Sequence, residues 1–197
     1  MLYRSKDSGL LEVITSGSMF AGKTTTLLTR LETFELAGKN TLLFCLRGSQ
    51  DRYTTKSEVV THSGKRRHAT QVTSSKEIRC WSKGLMPETS GIDVIGIDEV
   101  MLFDQEIVDV VEDLVRRGFI VVVAGLSVTS DGEPFGPMPE LLAIADIITQ
   151  VYGVCQECGN PSTRCWPLFE KKTQIAIGNE YIALCRQCWI KKMNRYR

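Results

Sequence analysis

Three groups of residues in this chain have the types and spacing to do chemistry. The stretch Gly17-Ser18-Met19-Phe20-Ala21-Gly22-Lys23-Thr24 fits G-x-x-x-x-G-K-[ST], a glycine-rich turn whose backbone N–H groups can cradle phosphates. Lys23 would reach the β- and γ-phosphates of a nucleotide, and the Thr24 hydroxyl would hold Mg²⁺. Asp98-Glu99 follows 75 residues after Lys23, at the end of an apolar run. Asp98 suits the same Mg²⁺, directly or through water, and Glu99 could accept a proton from an attacking hydroxyl or water. The third group is Cys155-x-x-Cys158 and Cys185-x-x-Cys188, separated by 26 residues. Two thiolates on each of two tight turns complete a tetrahedral zinc site, and with all four positions filled by protein that site is structural. Cys165 is expected to be a spare thiol, and Cys45 and Cys80 core or loop residues.

Each group needs an element to position it. Leu11–Thr15 reads as a short strand feeding the glycine loop, and Leu27, Leu28, Leu31 and Phe34 fall at helical spacing after it, with Ala37-Gly38 as a stop. A strand, a glycine turn and a helix N-terminus in that order aim amide groups and a helix dipole at one point, as a polyanion requires. Thr41–Leu46 predicts another strand. The span from Arg47 to Glu77 is polar, mixed in charge and without a clear period, and reads as a long loop of the functional or disordered kind. Ile92–Ile97 predicts the strand that ends in Asp98-Glu99, and strand C-termini line the ligand crevice of a parallel sheet. Asp104 can cap a helix carrying Ile107, Val108, Val110, Val111, Leu114 and Val115, which stops at Gly118. Phe119–Ala124 is a near-continuous apolar run, as in a strand buried on both faces. A loop over Gly132–Pro139, a short helix over Glu140–Ala145 and a strand over Ile147–Val151 follow. Strands alternating with helices predict an α/β fold with a mainly parallel sheet flanked by helices, of the P-loop NTPase kind. Composition changes at about Val154, which divides the chain into a nucleotide-binding unit, residues 1–153, and a small zinc-ribbon unit, residues 154–197.

Composition narrows the partners. The chain has 197 residues, 43% hydrophobic and 24% charged, and a net charge of +1. That balance gives no global attraction to nucleic acid or to an acidic membrane. The basic tail Lys191–Arg197 reads as a soluble end. No apolar run is long enough to span a bilayer, and the first residues carry no signal-peptide stretch, so the cytoplasm is the expected location. Seven cysteines in a reducing compartment suggest metal rather than disulfides.

Glycine loop, strand-end Asp-Glu and four-cysteine ribbon together resemble the type II thymidine kinase family, from about Leu11 to Trp189. The family loop reads roughly Gly-Pro-Met-Phe-Ser-Gly-Lys-[Thr/Ser], against Gly-Ser-Met-Phe-Ala-Gly-Lys-Thr here. Arg52-Tyr53 with Thr61-His62, Ile97-Asp98-Glu99, Ala124-Gly125-Leu126, Pro134-Phe135, Glu140–Asp146 and Tyr181–Cys188 match as well. The resemblance implies transfer of the ATP γ-phosphate to the 5′-hydroxyl of thymidine, giving dTMP for DNA precursor synthesis, with Glu99 as the base. It places Met19 near the nucleobase, Arg52 and Leu102 among the substrate contacts, and Gln174-Ile175-Ala176-Ile177-Gly178 in a lasso closing over thymine. Tyr181 would help hold the substrate. A homotetramer acting on a free nucleoside, with no nucleic acid or membrane partner, is also implied.

The chain departs from the family pattern at Met101 and Leu102, at Ser127 and Ser130, and in Gln50-Asp51-Arg52-Tyr53, where the Asp stands one place late. These positions are expected to alter the nucleoside pocket and leave phosphate chemistry intact, with deoxyuridine as the second substrate choice. The alternatives are a zinc-ribbon nucleic-acid-binding ATPase and an inactive kinase-like nucleotide-binding protein.

Overall fold

The computed structural model describes residues 9–48, 58–61, 64–168 and 181–196. In chain order these form β1 (Leu10–Ser16), α1 (Lys23–Leu36), β2 (Thr41–Leu46), β3 (Glu58–Val60), β4 (Arg66–His68) and β5 (Thr70–Val72). There follow α2 (Ser75–Ser82), α3 (Pro87–Ser90), β6 (Val94–Asp98), a 3-10 turn (Val100–Leu102), α4 (Ile107–Arg116) and β7 (Ile120–Leu126). The chain closes with α5 (Met138–Ile144), β8 (Ile147–Gln150), β9 (Gly153–Val154), β10 (Pro161–Ser162), β11 (Arg164–Pro167), β12 (Tyr181–Leu184) and α6 (Arg186–Tyr196).

The central sheet has the order β5-β2-β6-β7-β1-β8, and every pair in it is parallel. Its two faces explain the apolar runs. Leu11, Val13, Phe44, Val121 and Val123 pack on one side with Ile107, Val110, Val111 and Leu114 of α4. Ile14, Leu43, Cys45, Val122 and Ala124 pack on the other with Leu27, Leu28, Leu31 and Phe34 of α1. Alternate residues of one strand thus face opposite helical layers, so neither set of positions is polar. Each fully buried α1 leucine contributes about 1.5–3 kcal/mol of transfer free energy. Gly96 lets α1 lie close, since a Cβ there would fall 2.9 Å from Leu31 Cδ1. A charge interrupts the apolar pattern of β1: Glu12 is fully buried. Arg30 of α1 and Thr149 of β8 both donate to its Oε1 at 2.8 Å, tying three elements through one carboxylate.

Two local expectations are corrected. The polar span Arg47–Glu77 contains structure in its described part: β3 and β4 form an antiparallel hairpin, and β5 adds an edge strand to the sheet. Three-residue strands are too short to show a period, and the charges there are ion-pair partners, Lys65 to Glu32 at 2.6 Å and Arg67 to Glu35 of α1. Asp104 lies before α4 as expected, but α4 takes no side-chain cap from its N-cap residue, Glu106. The Asp104 carboxylate instead accepts the Ser75 amide at 3.1 Å and the Ser75 hydroxyl, at the start of α2.

The cysteine-rich region builds two small antiparallel pairs, β9–β10 and β11–β12, with α6 behind them. Residues 191–196 of the basic tail belong to α6, and Lys192 pairs with Glu157 at 3.0 Å. Among the described residues, no helix is long and apolar enough to cross a membrane.

Candidate functional site

The glycine loop joins the C-terminus of β1 to the N-terminus of α1, the arrangement its sequence calls for. Gly22 takes a left-handed conformation, φ 83° and ψ 19°, which glycine adopts without a side-chain clash. Phe20 is also left-handed, at φ 61°, a strained state for a bulky residue and one that clusters at ligand sites. No side chain caps α1, and no acidic residue lies in its first turn. The amide end of that helix, with Lys23 as its first residue, therefore presents positive potential toward the loop. Lys23 Nζ donates to the Ser18 carbonyl at 3.3 Å.

Two strands away, β6 delivers Asp98 to the same place. The Thr24 hydroxyl donates to Asp98 Oδ2 at 3.1 Å and lies 3.3 Å from Oδ1. Asp98 is fully buried, and burial first, then the Glu99 charge, push its carboxyl up to about 7 against the opposing Thr24 hydrogen bond. The Thr24 hydroxyl and the Asp98 carboxylate are oxygen donors that fit a hard divalent cation, and the nearby Lys23 charge suits the phosphates rather than the metal. Cys45, opposite Asp98 in the β2–β6 register, has its thiol raised to about 11 by burial and by the Asp98 charge. It is a core residue, as expected.

Glu99 breaks out of the strand with φ 52° and ψ 40°, and its carbonyl accepts Leu102 N at 3.0 Å to open the 3-10 turn. A left-handed glutamate costs about 1–3 kcal/mol. It is half-buried beside the fully enclosed Asp98, so the two acids sit in different surroundings.

Packing accounts for Met101 and Leu102 among the departures from the family pattern; at Ser127 and Ser130 the contacts are main-chain ones, and residues 50–53 lie outside the described residues. Met101 is buried, and its Sδ accepts the Leu126 amide at 3.4 Å, so it is a core prop for the end of β7 and no open pocket wall. Leu102 packs half-buried against the same core. Ser127 N donates to Ser16 O at 2.9 Å, and the Ser130 carbonyl accepts Trp189 Nε1 at 3.0 Å.

The four cysteines meet. Among the described residues, the Sγ atoms of Cys155, Cys158, Cys185 and Cys188 lie within 4.8 Å of one another, with Cys158 and Cys185 at 3.6 Å. Zinc–thiolate bonds of about 2.3 Å in a tetrahedron put sulfurs roughly 3.8 Å apart, so the cluster fits zinc. Gly159, at φ 74°, completes the first turn, and its N–H donates to Cys155 O at 2.9 Å. Burial works to raise the Cys155 thiol, but amide N–H groups of Cys185, Glu157 and Cys158 outweigh it and bring it down to about 6, whereas burial and the three neighbouring thiols push Cys188 up.

Contacts between the ribbon and the glycine loop had no signal in the sequence. Cys165, expected to be spare, is buried with its Sγ 3.0 Å from Met19 N, accepting that amide, and burial raises its thiol. Ser18 Oγ lies 2.7 Å from Ser162 Oγ. A Cβ on Gly17 would fall 2.1 Å from Thr163 O, so only glycine allows this approach. Tyr181 starts β12 and is buried. Arg52 and the Gln174–Gly178 segment lie outside the described residues.

A model of the thymidine kinase family matches residues 9–189 of this chain. A thymidine kinase of Porphyromonas gingivalis is 39% identical over 185 residues, which is 93% of this chain and 86% of that protein. One from Bacteroides thetaiotaomicron is 34% identical over 192 residues, 96% of this chain and 92% of that protein.

Proposed function

The chain belongs to the thymidine kinase family and is by that membership an ATP-dependent deoxynucleoside kinase; we propose that Gly17–Thr24, Asp98 and Glu99 carry the transfer of the ATP γ-phosphate to the 5′-hydroxyl of thymidine. The observation that carries this assignment is the meeting of Thr24 and Asp98, 3.1 Å apart at the uncapped start of α1. Phosphoryl transfer asks for positioning, charge neutralisation and a base more than for covalent chemistry.

On this reading the Gly17–Thr24 loop holds the phosphate chain through its amides, apart from Ser18 N and Met19 N, which donate to Ser16 Oγ and Cys165 Sγ. Lys23 leaves the Ser18 carbonyl to meet the β- and γ-oxygens. Thr24 and Asp98 would hold Mg²⁺, which would neutralise charge on the phosphates. Glu99 takes the proton of the 5′-hydroxyl as that oxygen attacks the γ-phosphorus and the bond to the ADP oxygen breaks, giving dTMP and ADP. Its left-handed backbone turns it out of the strand beside Asp98, in keeping with that task. Met19, Arg52, Leu102, Gln174, Ile175, Ala176, Ile177, Gly178 and Tyr181 are assigned to the nucleoside side. Cys155, Cys158, Cys185 and Cys188 would hold a structural zinc. Residues 154–197 then act as the unit that closes the acceptor site, and residues 1–153 as the donor unit. The family resemblance supports a homotetramer, which light scattering tests.

Incubating the purified protein with Mg²⁺, labelled ATP and a panel of nucleosides tests the reading directly. Labelled dTMP is the expected product; phosphorylation of no pyrimidine deoxynucleoside overturns it.

A further inference from the structure

The ribbon touches the glycine loop residue by residue. Gly17 lies against the Thr163 carbonyl, Ser18 pairs with Ser162, and Met19 N donates to Cys165 Sγ. A Cβ on Gly153 would fall 2.8 Å from Ser162 Oγ and 3.3 Å from Phe20 O. The centre of this seam is the pair of serine hydroxyls. Both residues are fully buried, 144 positions apart in sequence, with Ser18 Oγ 2.7 Å from Ser162 Oγ and 3.3 Å from Ser162 O. Deprived of water, each hydroxyl relies on the other.

Ser18 faces two ways. Its side chain engages the ribbon, while its carbonyl receives Lys23 Nζ at 3.3 Å. Behind Ser162, Thr163 N donates to Leu184 O at 2.9 Å, and Leu184 immediately precedes Cys185. A continuous path of short contacts therefore runs from the cysteine cluster to the lysine of the loop.

We propose that the Ser18–Ser162 hydroxyl pair is a positioning contact through which the four-cysteine ribbon sets the height of the phosphate loop, and with it the affinity for the phosphate donor. This rests on reading Gly17–Thr24 as the donor site. The ribbon then serves the donor as well as the acceptor: it holds the loop amides at the distance a phosphate chain requires. Ser18 and Ser162 act through the loop main chain and touch no reacting atom.

The test is a double-mutant cycle of Ser18→Ala, Ser162→Ala and the pair. Binding of a non-hydrolysable ATP analogue with Mg²⁺, nucleoside KM, melting temperature and zinc content are measured in each. Ser18→Ala orphans the Ser162 hydroxyl, whereas Ser162→Ala leaves the Ser18 hydroxyl with the main-chain oxygen of residue 162 at 3.3 Å. The double change removes both hydroxyls, so the melting temperature drops most in Ser18→Ala and recovers toward wild type in the double. Donor Kd is expected to rise roughly 3- to 10-fold in all three, without recovery in the double, because the latch is absent from each. Nucleoside KM stays within about twofold and zinc content is unchanged. Donor affinity that recovers together with the melting temperature overturns the proposal, leaving a purely structural pair; so does unchanged donor affinity in all three, or zinc loss in the variants. A wild-type protein that binds no ATP analogue overturns the donor-site reading itself, and the proposal with it.

Discussion

At the scale of single residues, Asp98 and Glu99 are neighbours in sequence with different surroundings, and that contrast is what divides the roles proposed for them. Asp98 is sealed at the end of β6 against the Thr24 hydroxyl, whereas Glu99 is turned aside by a left-handed backbone and stays half-buried. Replacing Glu99 by Gln keeps shape and removes the base, so turnover should drop roughly 10²–10⁴-fold while affinity for an ATP analogue is kept. Steady-state kinetics beside a binding titration checks this, and near-normal turnover removes Glu99 from the mechanism. Asp98 carries a pH signature. Its folded value of about 7 stands above the ordinary 3.8, so the fold favours the neutral carboxyl. Its contribution is intact at pH values below 3.8 and is lost as pH rises through 7, where the fold must hold a buried charge. In chelator, the melting temperature of the wild type should therefore fall relative to Asp98→Asn across that window. Mg²⁺ with nucleotide should restore it, and melting curves that stay parallel across pH count against the assignment.

Among the elements, α1 does two jobs with two parts of its surface. Its first turn closes the phosphate loop, and its apolar stripe of Leu27, Leu28, Leu31 and Phe34 clamps the sheet. Leu31 sits over Gly96 of β6, the strand that ends in the acidic pair, so the same contact fixes the distance between loop and carboxylates. Leu31→Ala leaves a cavity there, and about 2–5 kcal/mol of unfolding free energy should be lost, as read by urea denaturation. Donor affinity should weaken along with stability, because the cavity lies between the two halves of the site. A loss under 1 kcal/mol would mean that the neighbouring side chains close the gap.

Over the whole molecule, the parallel sheet and the ribbon are stitched at two separate places. Residues 162–165 and Gly153 lie on the glycine loop, while Trp189, next to Cys188, donates to the Ser130 carbonyl and packs on Gly132 after β7. The strands between the two cysteine turns therefore lie on the glycine loop, and the helix after the second turn braces the loop after β7. Protein purified without chelators should carry close to one zinc per chain, and Cys185→Ser should lose most of it. Metal analysis read against the melting temperature tests this: the variant melts well below wild type if the centre holds the two stitches together. A zinc-free wild type of full stability would separate the cysteines from the fold.

The glycine loop, the acidic pair and the four cysteines were legible from the chain alone. Each is a local pattern in which spacing along the backbone already decides spacing in space: a turn at a helix start, two acids at a strand end, two thiols on one knuckle. The order of the main strands and helices was legible too, through apolar runs long enough to show a period. Tertiary structure decided what joins these pieces. It sent the Asp104 carboxylate to Ser75, folded Met101 into the core beneath β7, satisfied Glu12 with Arg30 and Thr149, and added β5 to the sheet edge. Above all it set Ser162 and Cys165 against Ser18 and Met19. Partners 144 and 146 residues apart leave no periodicity, spacing or composition to read, since only the packing of the ribbon on the sheet brings their atoms within hydrogen-bond reach.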